Sequence, residues 1–211
     1  FMRVRRLCTL LCVLAVLCAL APARAGSASD AVTQDEASQI LSAQSRNEYA
    51  LLIGVDHFVS RADTYPSSTN NVNAMQEVFQ GALNPFRAII VPPEPVTTVE
   101  QLTALIQKTF GDAGKGDVCY LYLSTHGVYD PASGQEPMLL LSDGHTENGV
   151  TPAQLEAAFD GIEGTKVLIL DACNSGAFIG KGLPSLPEKV YFLGEDFKVL
   201  TSSGALEESW Y

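Results

Sequence analysis

Val118-Cys119-Tyr120-Leu121-Tyr122-Leu123-Ser124-Thr125-His126-Gly127 and Lys166-Val167-Leu168-Ile169-Leu170-Asp171-Ala172-Cys173-Asn174-Ser175-Gly176 decide the fold. Each begins as a short apolar run and ends in small and polar residues. Runs of this length bounded by turn residues fit strands buried on both faces, as in a parallel sheet covered by helices. Open parallel sheets place their ligands just beyond the carboxyl ends of their strands. Ser124-Thr125-His126-Gly127 and Asp171-Ala172-Cys173-Asn174-Ser175-Gly176 occupy those positions. If the two strands are neighbours, the loops emerge side by side, and a histidine meets a cysteine 47 positions further along the chain.

Working outward, apolar runs alternate with amphipathic stretches, the pattern of βα units. Tyr49 to Gly54 is the expected first strand. Asn71 to Leu83 reads as a helix with Val72, Met75, Val78 and Phe79 as its apolar stripe. Phe86 to Val91 follows as a strand stopped by Pro92-Pro93. Thr97 or Thr98 can cap a helix to about Phe110, with Leu102, Leu105, Ile106 and Phe110 inward. Met138 to Leu141 reads as a short strand before a turn at Ser142-Asp143-Gly144. Thr151-Pro152-Ala153-Gln154 combines an N-cap, a proline in the first turn and a capping-box glutamine, opening a helix to Phe159. Phe197 to Thr201 is the last strand. Gly180 to Asp196, with two prolines and three glycines, reads as a linker loop.

The 211 residues, 46% hydrophobic and 18% charged, suffice for one well-filled domain. Met2 to Ala25 has the form of a secretory signal: a basic start at Arg3, Arg5 and Arg6, an apolar run from Leu7 to Leu20, and small residues at Ala23-Arg24-Ala25. Residues 26–47 read as a leader or propeptide, and 48–211 as the folded domain. The mature protein is expected to be exported, secreted or periplasmic, and not held in a membrane once the signal is removed. Loss of the four signal arginines leaves 9 of the 13 basic residues against 24 acidic ones, a balance of −15. Nucleic acid and anionic surfaces are poor partners for such a chain, and cationic substrates are favoured. The same charge also serves as a solvated surface that keeps an exported protein soluble.

Cys8, Cys12 and Cys18 lie in the signal, so Cys119 and Cys173 alone remain in the mature chain. They mark opposite ends of strands expected to run parallel. At about 3.3 Å per residue their separation far exceeds the roughly 4 Å between Cβ atoms that a disulfide needs. Three histidines and two cysteines without CxxC or HExxH spacing do not make a zinc site. With no glycine-rich phosphate loop after a strand, no cofactor is expected.

A free thiol is mostly protonated near neutral pH; a neighbouring imidazole lowers its pKa or takes its proton, and can later protonate a leaving amine. Gly127 and Ala172 leave room for a peptide backbone, and the amides of Gly127 and Cys173 can face a developing oxyanion. These parts suit acyl transfer. Alone, a cysteine at a strand end is usually a small buried apolar residue and a histidine before glycine a turn residue; their joint placement favours a catalytic pair. His57, after the first strand, and His145, in the Asp143-Gly144-His145 turn, are the competing bases.

The pairing of strand-His-Gly with strand-Asp-x-Cys-x-Ser-Gly resembles the caspase and metacaspase branch of cysteine peptidases, whose histidine and cysteine stand roughly 50 residues apart. Tyr49-Ala50-Leu51-Leu52-Ile53-Gly54, Asn70-Asn71-Val72 and Thr201-Ser202-Ser203 extend the likeness from Tyr49 to Tyr211. The resemblance implies a caspase-like three-layer αβα sandwich on a mostly parallel sheet, truncated at its C-terminus, and a cysteine endopeptidase with Cys173 as nucleophile and His126 as its partner. It also implies that Asp171 and Ser124 line a pocket for Arg or Lys at the cleaved position, which a carboxylate suits on physical grounds. Metacaspases usually carry Asn-Asp where this chain has Asn70-Asn71, so one pocket carboxylate is missing at Asn71 unless Asp56 supplies it. Related enzymes are often processed in the linker, where Lys181 and Lys189 stand. The alternatives are a catalytically silent caspase-like module that binds peptides or partners, and a transpeptidase in which an amine replaces water.

Overall fold

The structure is a computed structural model describing residues 46–61, 67–180, 183 and 190–209. The proposed signal Met2–Ala25, nearly all of the proposed leader, Lys181, Lys189, Trp210 and Tyr211 lie outside the described residues.

Five parallel strands form the central sheet: β1 (Glu48–Gly54), β2 (Ala88–Ile90), β3 (Val118–Ser124), β7 (Thr165–Asp171) and β8 (Phe197–Thr201), in the order β2-β1-β3-β7-β8. β3 and β7, which lead to the histidine and cysteine loops, are therefore neighbours, in register from Val118 opposite Thr165 to Ser124 opposite Asp171. Between them the chain makes a small antiparallel sheet of β4 (Gly127–Val128), β5 (Met138–Ser142) and β6 (Glu147–Val150). The helices are α1 (Ser68–Gln80), α2 (Val99–Phe110) and α3 (Pro152–Ala157), with a 3-10 helix at Ser175–Ile179 after β7.

Alternation along β1 builds three layers, because successive side chains leave opposite faces of a strand. Tyr49, Leu51 and Ile53 join a core with Leu102, Ile106 and Phe110 of α2 and Leu155 of α3. Ala50 and Leu52 join a smaller core with Val72 of α1 and Tyr122 of β3. Burying each such large apolar side chain contributes roughly 1.5–3 kcal/mol. Of the two threonines expected to cap α2, Thr98 does so: it accepts the Gln101 amide N–H at 3.2 Å, and the Gln101 side chain accepts the Thr98 N–H at 3.3 Å.

Helix α1 departs from expectation at both ends. It begins three residues before Asn71, at Ser68, because the Asp56 carboxylate takes the Thr69 N–H. It stops at Gln80, and Leu83 is fully exposed. Val78, 66% exposed, is outside the stripe, which runs through Val72, Met75 and Phe79 at three- and four-residue steps. Helix α3 likewise ends at Ala157 rather than Phe159. Among the described residues no helix is long and apolar enough to cross a membrane.

Candidate active site

The site forms where β3 and β7 end. Strand pairing carries as far as Ser124 and Asp171, and the Thr125 amide still donates to the Asp171 carbonyl at 3.1 Å. One residue later the chains diverge. His126 is tied back to β5, since its carbonyl accepts the Leu140 N–H at 2.9 Å and the Thr125 hydroxyl donates to the Leu140 carbonyl at 2.5 Å. Gly127 then passes directly against the Cys173 main chain: a Cβ at this position would lie 1.7 Å from the Cys173 carbonyl oxygen. Only glycine permits that approach, which brings the histidine and cysteine loops into contact.

Cys173 sits on a sharp turn. Asn174 follows it in the left-handed region with φ 55°, a conformation that Asn tolerates better than most residues. The segment after β8 holds this turn from outside. The Ser203 hydroxyl donates to the Ala172 carbonyl at 2.9 Å, the Asn174 amide to the Glu207 carbonyl at 2.8 Å, and the Asn174 side chain to the Ala205 carbonyl at 3.0 Å. The Ser209 N–H approaches the Cys173 Sγ at 3.4 Å.

The His126 imidazole is half-buried, with the Phe58 ring 4.4 Å away between centroids. Its Nδ1 is buried without a hydrogen-bond partner. Burial, then the positive charge of Arg61, depress its pKa below the usual histidine value, while Glu147 opposes them. The ring is therefore neutral near pH 7 and able to accept a proton.

Beside this pair, Asp171, Ser124 and Asn71 meet as one polar cluster. The Asn71 side-chain amide lies 3.4 Å from both the Ser124 Oγ and the Asp171 Oδ2. The Tyr122 hydroxyl donates to the same Asp171 oxygen at 2.8 Å. Asp56 is engaged elsewhere, with Thr69, at the rim of a cavity of about 290 Å³ that His57 also lines. His57 is exposed and lies against Gly144 of the β5–β6 turn, and His145 is exposed in that turn. A larger cavity of about 720 Å³, beside Phe178 and Tyr191, includes neither His126 nor Cys173.

Cys119 is fully buried at the other end of the sheet, its thiol pushed up to about 12 chiefly by desolvation. Both cysteines are free. Iodoacetamide near neutral pH is therefore expected to modify Cys173 in the folded protein and to reach Cys119 only after denaturation, as read by peptide mapping. Among the described residues no group of three or more acidic, histidine or cysteine side chains is arranged to hold a metal ion.

A parallel sheet covered on both faces, with histidine and cysteine loops at the ends of adjacent strands, defines the caspase-like class of α/β proteins. The caspase-domain profile matches residues 47–208, and the chain belongs to that family of cysteine peptidases. No curated protein matches the chain significantly. Among solved structures, a Geobacter sulfurreducens protein is similar at 19% identity over 62% of this chain and 51% of its own, with TM-score 0.49. Caspase-1 from Spodoptera frugiperda is similar at 18% identity over 78% of this chain and 62% of its own, with TM-score 0.48. The chain thus spans between half and two thirds of the length of these structures.

Phe58, Tyr122, Glu147 and Ser209 join the neighbourhood without having been singled out in the sequence. Tyr122 alone carried a signal, as a phenol two residues before Ser124 on the face that Asn71 covers.

Proposed function

We propose that the chain is an exported cysteine endopeptidase that cleaves after Arg or Lys through a Cys173–His126 dyad. The observation that carries this reading is the contact between Gly127 and the Cys173 carbonyl, which joins the two loops at adjacent strand ends. Cys173 Sγ attacks the scissile carbonyl carbon, and the carbonyl electron pair moves to oxygen, toward the amides of Gly127 and Cys173. His126 takes the thiol proton and returns it to the leaving amine as the C–N bond breaks. Water, deprotonated by His126, then attacks the thioester and releases the acid and the free thiol.

Asp171 supplies the negative charge for a basic substrate side chain, with Ser124 and Asn71 beside it and Tyr122 fixing one carboxylate oxygen. A fluorogenic peptide panel with Arg, Lys, Asp or Asn at the cleaved position tests this directly. Cleavage restricted to Arg and Lys peptides is the expected result; preference for Asp, or no cleavage of any peptide, contradicts it. Asn71→Asp should sharpen the preference. A second carboxylate adds a charge-assisted hydrogen bond, offset by its repulsion from Asp171, so kcat/KM for Arg peptides should rise by about tenfold. The gain should fade at acidic pH as the carboxyl pair takes up a proton.

A further inference from the structure

The loop after β1 reaches His126 through Phe58, which is 6% exposed and packs against the imidazole with the two ring planes tilted by 50°. The next two residues are anchored by one acidic side chain. Glu147 Oε2 accepts the Val59 N–H at 2.8 Å and the Ser60 N–H at 3.3 Å. Desolvation pushes the Glu147 carboxyl up, but these two hydrogen bonds, one from the Ser60 side chain and the positive charge of Arg61 together hold it below the usual range. Glu147 opens β6, so a single carboxylate ties the loop leaving the central sheet to the small sheet. A second contact joins the same two segments: a Cβ on Gly144, in the β5–β6 turn, would lie 3.1 Å from the His57 Cβ.

The imidazole has no hydrogen bond at Nδ1 to fix its ring, so packing must hold it. Two charged groups act on it: Arg61 of the same loop disfavours the imidazolium, and Glu147 of β6 favours it. Cys173, on the loop after β7, is its proposed reaction partner.

We propose that Glu147 is a positioning residue for His126: by clamping the Val59 and Ser60 amides it keeps Phe58 against the imidazole and sets the ring's orientation and charge. The proposal rests on the reading of His126 as the acid/base of the dyad. Glu147 acts through Phe58 and touches no reacting atom.

Two substitutions separate its roles. Glu147→Gln keeps an oxygen that can accept both amides but removes the charge. Its kcat should remain within about threefold of wild type, while the acid limb of the pH profile moves to lower pH. Glu147→Ala also releases the loop. It should lose on the order of 10–100-fold in kcat with little change in KM, because misorienting an acid/base group slows chemistry more than binding. His126 titration and the Phe58–His126 ring contact, followed by NMR in the mature full chain, report on the clamp independently of catalysis. If wild type hydrolyses no peptide, the peptidase reading fails while the NMR arm still judges the clamp. The clamp is overturned by a Glu147→Ala protein that keeps the ring contact and the His126 titration of wild type. It is equally overturned if Glu147→Gln loses as much as Glu147→Ala with no shift in titration. Should Glu147→Ala fail to fold, the Gln variant decides on the direction of its titration shift.

Discussion

Replacing Cys173 with alanine is expected to lower peptide hydrolysis by at least about 10³-fold while leaving the fold intact. Sγ is the atom that would form the acyl bond, and no other described thiol can replace it: Cys119 is buried at the opposite end of β3. The cost to folding should be small. Cys173 is partly buried, and its turn is held mainly by main-chain groups of residues 172 and 174 with the segment after β8. His126→Ala should fall by a similar factor, and the double variant should be little worse than either single one, because residues acting as a unit are not additive. Fluorogenic assays on all three, with circular dichroism as the folding control, check this. Retained activity in Cys173→Ala would assign the chemistry elsewhere.

The second large effect is expected from Gly127→Ala, which adds one methyl group and no charge. The new Cβ would lie 1.7 Å from the Cys173 carbonyl oxygen and 2.9 Å from its carbon, both main-chain atoms that cannot rotate away. The loops must separate. Overpacking commonly costs 1–3 kcal/mol, and a main-chain clash of this depth belongs at or above the upper end of that range. A shift of about 1 Å at the site can lower kcat by about 10²-fold. The measurable result is a lowered Tm together with an activity loss approaching that of Cys173→Ala. Gly134→Ala, at φ +68° with no neighbour within 4 Å, is the contrasting case: a glycine where conformational strain arises without a clash. Equal, small effects of the two substitutions would mean that the contact at Gly127 relaxes freely.

The buried parallel strands were legible because their sequences say little else. Val118–Ser124 and Thr165–Asp171 carry apolar residues on both faces, and they extend by no more than one residue at either end the runs Val118 to Leu123 and Lys166 to Leu170 that read as strands. Capping chemistry placed the start of α3 at Thr151 and that of α2 at Thr97 or Thr98, of which Thr98 is the cap, for the same local reason. The small sheet was harder. Glu147-Asn148-Gly149-Val150 has little strand propensity, and it pairs because β5 offers an edge on which Val150 can be buried. The early start of α1 depends on Asp56, thirteen residues away from Thr69, which no local pattern announces.

The same distinction runs through the candidate site. His126, Gly127, Asp171 and Cys173 stand at strand ends, where topology alone brings them together once β3 and β7 are neighbours. Asn71 reaches Ser124 and Asp171 across 53 and 100 residues of sequence, and its place came from resemblance rather than from spacing. Phe58 and Glu147 lie on an exposed loop and a polar strand whose sequences resemble ordinary surface. Their relation to His126 exists only through the pairing of β5 with β6 and the path of the loop after β1.

The most direct measurement is the pH dependence of Cys173 alkylation by a peptidyl-arginine chloromethyl ketone, with the adduct mapped by mass spectrometry in wild type and His126→Ala. Wild type should label at Cys173 alone, with a rate that titrates with the imidazole. His126→Ala should lose that titration and react at least about tenfold more slowly near neutral pH. Equal rates and profiles in the two proteins would mean that the ring and the sulfur do not act on each other.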